Sequence, residues 1–194
     1  MKKMMIIILL TSVALMGASA QKFAGDLSPL QDQKEVNIVI DFSGAMVDGK
    51  TEQMYINAEL KKRKAADKEK WIKEWNEDLR HSTYSMLIRE LNKTLNQNLF
   101  IVDVIPEAKY TIYVKVKDIK TGFYSTATAK PSEVSAEIHF VKTGEEAPFA
   151  TIEYKNVSNK TSANVPHFVA RIASSFGTLG SNIGKIINKN LKKK

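Results

Sequence analysis

The chain changes its hydrophobic period several times, and each change marks an element. "EVNIVIDFSG" sets Val36, Ile38, Ile40 and Phe42 on one face with polar residues between them, the period of a half-buried strand. Gly44 and Asp48-Gly49 then signal turns. Met54 to Leu60 fits a short strand or the start of a helix. From about Lys62 to Asn96 the pattern is helical, yet its apolar residues form no single stripe. Trp71, Ile72, Trp75 and Leu79 share one side; Tyr84, Leu87, Ile88, Leu91 and Leu95 share another. At about 100° per residue the two groups lie nearly opposite each other. Either the helix breaks near Arg80-His81-Ser82-Thr83, with Ser82 as an N-cap, or it runs on and buries different faces at different heights.

The first half of that helix pairs opposite charges four residues apart, at Glu59–Arg63, Glu69–Lys73, Lys70–Glu74 and Lys73–Glu77. A charged helix half with two tryptophans on one side predicts a projecting segment, so Trp71, Ile72, Trp75 and Leu79 form a candidate partner surface. A bend near Ser82 would instead fold the tryptophans onto the sheet. The second half predicts a core helix.

Strands then return. "LFIVDV" is short and apolar, and Pro106 turns the chain. "YTIYVKVKDI" alternates Ile112, Val114 and Val116 with Tyr113, Lys115 and Lys117, and Gly122 ends it. "VSAEIHFV" and "FATIEYK" alternate likewise, with the polar hairpin loop "KTGEEAP" between them. Such alternation leaves one face of a sheet wet, as in antiparallel sheets backed by helices. The polar connector "SNKTSANVP" leads into a last helix, where Pro166 suits the first turn.

In that helix Val165, Phe168, Val169, Ile172, Phe176, Leu179, Ile183, Ile186 and Ile187 form a broad apolar stripe. Ala170, Ala173, Gly177, Gly180 and Gly184 form a narrow stripe of small residues beside it. Arg171, Lys185, Lys189 and Lys192 fall opposite. The phase holds to Leu191, so the glycines, each costing about 1 kcal/mol against alanine, point to a close backbone approach. A local break at Gly177–Gly180 and a helix lying on a membrane surface are the alternatives.

The expected fold class is therefore α+β: a mostly antiparallel sheet of four to five strands, with the long helix and the C-terminal amphipathic helix chiefly on one face. Residues 21–35 read as a loose leader, 36–191 as a single domain and 192–194 as a basic tail.

Residues 1–20, "MKKMMIIILLTSVALMGASA", add an address. Lys2 and Lys3 precede an apolar run, and Ala18-Ser19-Ala20 is a small-x-small cleavage site, the three-part pattern of a secretory signal peptide. The run falls short of the about 20 apolar residues that span a bilayer. Cleavage after Ala20 would leave a chain starting at Gln21 in the periplasm or outside the cell. No cysteine follows the run, so no lipoprotein anchor is expected. The cysteine count of zero excludes disulfides, zinc–thiolate sites and a cysteine nucleophile.

The net charge of +8 is uneven. No acidic residue follows Glu153, whereas eight basic ones do. Arg171, Lys185, Lys189 and Lys192 are therefore candidate anion-facing residues, set against the plainer reading of a solvated helix face. An exported chain rarely meets nucleic acid, so the anion in question is a membrane surface or an acidic polymer.

Chemistry is sparse. His81, His139 and His167 lie in no metal-ligand spacing, and no GxSxG, phosphate-binding loop or dinucleotide fingerprint occurs. His139 is expected on the surface beside Glu137. No cofactor or metal site is expected, and no enzyme; the alternative is an enzyme on an envelope polymer using surface carboxylates such as Asp118, Glu133 or Glu137.

One stretch, "LNQNLFIVDVIPEAKYTIYVKVKDIKTGF", combines a helix end, a short strand, "AKY", a long strand and Gly122. It resembles small exported bacterial proteins and, more distantly, the amino-terminal domain of TolB and the periplasmic domain of the curli-secretion lipoprotein. That resemblance covers roughly Val36 to Leu191 and implies a non-enzymatic binding or assembly module of the envelope, whose partner is a protein, either a second copy or an envelope component. No catalytic residue carries over from it.

Overall fold

Alternation along the strands becomes one mixed sheet. The computed structural model describes residues 21–96, 99–125 and 127–191; the signal peptide expected over residues 1–20 and the lysine tail lie outside them. The strands are β1 (Gln21–Gly25), β2 (Glu35–Asp41), β3 (Met46–Val47), β4 (Lys50–Thr51), β5 (Ile101–Asp103), β6 (Tyr110–Lys120), β7 (Glu133–Lys142) and β8 (Ala150–Val157). Their order is β1-β8-β7-β6-β2-β5, with the β3–β4 hairpin continuing the line of β2 along the end of β6. The β6–β7–β8–β1 part is antiparallel, whereas β2 runs parallel to both β5 and β6.

The sheet is thus larger than the four to five strands expected, and mixed. The missing strands have physical reasons. β3 and β4 have two residues each, too short to show a period. β1 lies in the stretch read as a loose leader; it is an edge strand against β8, with only Phe23 partly buried. Leu27 and Leu30, each 1 % exposed, tie the rest of that stretch to the core. The parallel pairing follows from connectivity: β2 reaches β5 through the helices, and such a crossover lets strands align.

Met54 to Leu60 lies in α1 (Glu52–Lys61), capped by the Thr51 hydroxyl, which accepts from the Met54 amide. The long helical stretch neither breaks at Ser82 nor runs as a plain α-helix. It comprises α2 (Ala65–Lys73), a π turn (Glu74–Asp78) and α3 (Leu79–Thr94). In the π turn the Leu79 amide bonds back to the Glu74 carbonyl, five residues away. Such a turn slips the following helix by about one residue, or roughly 100°. The slip draws the two nearly opposed stripes together, so that Trp71, Trp75, Leu79, Thr83, Leu87, Leu91 and Leu95 are all buried.

The last helix, α4 (Phe168–Asn190), is unbroken and packs along α3. Its glycines meet that helix: a Cβ on Gly180 would lie 2.3 Å from the Leu87 carbonyl oxygen, and one on Gly184 would lie 2.9 Å from Thr94 Cβ. Close packing against the core part of the long helix is therefore what the small stripe serves. Asn188 on α4 caps the end of α3, accepting from the Asn96 amide at 3.0 Å and donating to the Thr94 carbonyl at 2.8 Å. The helices cover the sheet face carrying Ile38, Val114, Ile138 and Ile152, and the core lies between these layers.

Candidate functional site

The helices take one sheet face and leave the other to solvent, and alternation decides which side chains appear there. Register places Lys22, Glu153, Glu137, Lys115 and Asp41 in one row across β1, β8, β7, β6 and β2. The adjacent row reads Ala24, Thr151, His139, Tyr113 and Val39.

Glu137 and Glu153 stand directly opposite each other, which alone would be repulsive. Lysines relieve this: Lys117 lies 3.0 Å from Glu137, and Lys155 lies 2.9 Å from Glu153. Lys155, by hydrogen bond and charge, holds the exposed Glu153 carboxyl below its ordinary range. At Asp41, burial pushes upward, but the Ser43 hydroxyl and amide, Tyr113 and Lys115 outweigh it and hold the carboxyl low. His139 sits on this face, 3.7 Å from Glu137.

The carboxylates considered for catalysis all project to this side. Glu133 is paired with Lys120 at 2.6 Å, and Glu137 with Lys117. Burial, with Asp48 and Glu133 nearby, raises the Asp118 carboxyl, and Lys120 opposes them. The depression over Lys22, Glu137, His139, Thr151 and Glu153 is shallow and open to water. Among the described residues no group of histidines and carboxylates could hold a metal.

The tryptophan surface is corrected. Trp71, Trp75 and Leu79 are 5 %, 0 % and 0 % exposed and belong to this chain's own core; only Ile72, at 36 %, remains at the surface. The two indoles stack with centroids 5.6 Å apart, and Tyr55 and Phe168 pack against them. Trp75 Nε1 donates to Glu52 Oε1 at 2.8 Å, and Arg80 pairs with the same carboxylate. The reason for the miss is the π turn, because a sequence pattern assumes a constant 3.6-residue period.

The anion-facing set divides. Lys185 and Lys189 are exposed, beside a groove lined by Met86, Arg89, Glu90 and Ser181. Lys192 lies outside the described residues. Arg171 does not face anions: it is 5 % exposed, and its guanidinium donates to the carbonyls of Thr121 (3.1 Å), Val165 (2.7 Å) and Pro166 (3.1 Å). Both sides of α4 are covered in its first turns, by the sheet on one side and by the chain around Thr121 and Ser132 on the other, which the helical phase alone does not reveal. Ser175 is buried with it and bonds Ser132. His81 is exposed; His167 stacks on Phe168 and lies 3.6 Å from Glu74.

No protein-family model matches the chain, and no curated protein matches it in sequence. Among solved structures it is similar to the PelC dodecamer from Paraburkholderia phytofirmans, with TM-score 0.45 and 10 % identity, covering 91 % of this chain and 100 % of that one. A point variant of the same dodecamer gives TM-score 0.42 and 12 % identity at the same coverage. Likeness at this level carries no statement about assembly or activity. Neither structure is a TolB domain or a curli-secretion protein. No described helix is long and apolar enough to cross a membrane.

Proposed function

We propose that the chain is an exported, non-catalytic binding or assembly module of the bacterial envelope, and that it docks a protein partner through the open face of β1, β8, β7, β6 and β2. The observation that carries this reading is the charged row Lys22–Glu153–Glu137–Lys115–Asp41, displayed on a sheet face that no described helix covers. A fixed row of charges of both signs favours register and specificity in docking. Catalysis by the same groups is disfavoured physically. A general acid needs a raised pKa in a site that excludes water, whereas Glu153 and Asp41 in this row are held low and the depression beside Glu137 is open to water; Asp118, whose carboxyl is raised, stands outside that row.

The test is site-specific photo-crosslinking in cells. A crosslinker replacing Thr151 should give a discrete protein adduct that the charge reversals Lys115→Glu and Glu137→Lys abolish. One replacing Arg89, on the far side, should not. Adducts from Arg89 alone, or release of a Glu137-dependent product from an envelope polymer, would overturn the proposal.

A further inference from the structure

Where β6 ends, the chain forms a hairpin whose root is held on three sides. Asp48 accepts from the Thr121 amide and hydroxyl, at 3.1 and 2.7 Å, and Arg171 donates to the Thr121 carbonyl. Gly122 has φ +63°, and a Cβ there would lie 2.3 Å from the Lys130 carbonyl oxygen, so the two arms cross at the closest possible approach. Phe123 and Lys130 then exchange both backbone hydrogen bonds, at 3.0 and 2.8 Å. At this anchored root and one residue beyond it stand two adjacent aromatic residues, Phe123 and Tyr124, 49 % and 45 % exposed. Ordering them costs little on binding, because the root is already fixed.

Three lysines at this end, Lys50, Lys130 and Lys160, are exposed and make no ion pair among the described residues. Register places all three at this end: Lys50 pairs with Val47 beside Ile119, Lys130 bridges Phe123, and Lys160 follows the end of β8. Of the acids here, Glu133 is paired with Lys120, whereas Asp48, which accepts from Thr121, and Asp118 make no ion pair among the described residues.

We propose that the Phe123–Tyr124 tip, with Lys50, Lys130 and Lys160 at the same end of the sheet, is a peripheral docking site for an anionic phospholipid surface. The aromatic rings enter the headgroup boundary, where an amphipathic ring is best placed, and the lysines are drawn to the negative surface. This site lies at one end of the sheet and is independent of the protein-docking role given to the open face, so either can fail alone.

The test is co-sedimentation of the chain from Gln21 onward, which contains every described element, with vesicles of phosphatidylcholine alone and of phosphatidylcholine mixed with phosphatidylglycerol. Binding is expected on the anionic vesicles and should weaken with salt. Phe123→Ser with Tyr124→Ser should weaken it by roughly tenfold or more, and each of Lys50→Ala, Lys130→Ala and Lys160→Ala by roughly fivefold. An unchanged circular-dichroism melt will show that the variants fold. Ile101→Ser with Val104→Ser, which alters still more exposed apolar residues at the other end, should leave binding unchanged. The proposal is overturned by absence of binding to anionic vesicles, or by equal loss in the Ile101/Val104 variant. It is also overturned if Lys185→Glu with Lys189→Glu abolishes binding while the aromatic variant retains it. Loss of the Thr151 adduct in the aromatic variant with vesicle binding intact would make the tip a protein contact and equally overturn it.

Discussion

Gly180 of α4 lies against the carbonyl of Leu87 on α3, so closely that a Cβ would come within 2.3 Å of the oxygen. A backbone atom cannot step aside as a side chain can. Gly180→Ala should therefore destabilise the fold by about 1–3 kcal/mol despite alanine's higher helix propensity. At Gly177 the nearest atoms are Glu90 Cγ at 3.2 Å and Met86 Cε at 3.4 Å, both on flexible side chains. Gly177→Ala should be neutral or stabilising by up to about 1 kcal/mol. Thermal melts of the two variants should move apart; equal shifts would refute the close approach as the reason for the glycine.

Trp75 and Glu52 join α1 to the long helix, and Arg80 completes the junction. Trp75 is fully buried, so Trp75→Ala should cost about 3–5 kcal/mol. Glu52→Ala leaves the indole N–H and a largely buried guanidinium without their acceptor and should cost about 1–3 kcal/mol. Urea midpoints measure both. A Trp75→Ala protein of unchanged stability would return the tryptophans to the surface.

How much of this was legible in the chain depends on whether a period stays constant. The alternation in 110–120, 133–142 and 150–157 gave strands whose inner and outer residues are as the pattern orders them, including Glu137 and His139 outward. The α4 stripes held over 23 residues because no irregular turn intervenes. The tryptophans were left between a partner surface and the core because the π turn, which settles them in the core, changes the period between them and Leu87. The alignment of Glu137 with Glu153 was invisible, since register is set by turns and bulges, such as the shift between Val116 and Asp118, rather than by composition. The two-residue strands and the burial of Arg171 depend on what long-range neighbours cover, about which local sequence says nothing.

Arg171 is a cation surrounded by carbonyl dipoles, with burial drawing its pKa down. Three backbone oxygens from two loops depend on its planar fork, which a lysine ammonium cannot reproduce. Arg171→Lys should cost about 1–3 kcal/mol. It should also loosen the hairpin root at Thr121, seen as faster amide exchange at Phe123 and Lys130. Wild-type exchange there would show that the Asp48 contacts alone hold the root.

Tyr55 gives the fold an alkaline limit. Burial beneath the tryptophans raises its phenol from 10.0 to about 12; the hydrogen bond to Thr121 opposes this, and Glu59 and Asp48 add to the rise. Below about pH 10 the phenol is neutral in both the folded and unfolded chains, and its contribution to stability is fully present. As pH rises from about 10 to about 12, only the unfolded chain ionises, so stability falls by about 1.4 kcal/mol per unit, or about 2–3 kcal/mol in all. Tyr154 adds to this slope, because burial raises its phenol too, and its hydroxyl has no hydrogen-bond partner among the described residues. Tyr154→Phe removes an unsatisfied polar atom and should be neutral or stabilising by about 1 kcal/mol at neutral pH. Urea midpoints between about pH 9 and 11 should fall less steeply in Tyr55→Phe than in the wild-type protein, and least in the double variant. Parallel curves for all three would mean that neither phenol is withheld from ionisation by the fold, and that the alkaline limit comes from the lysines.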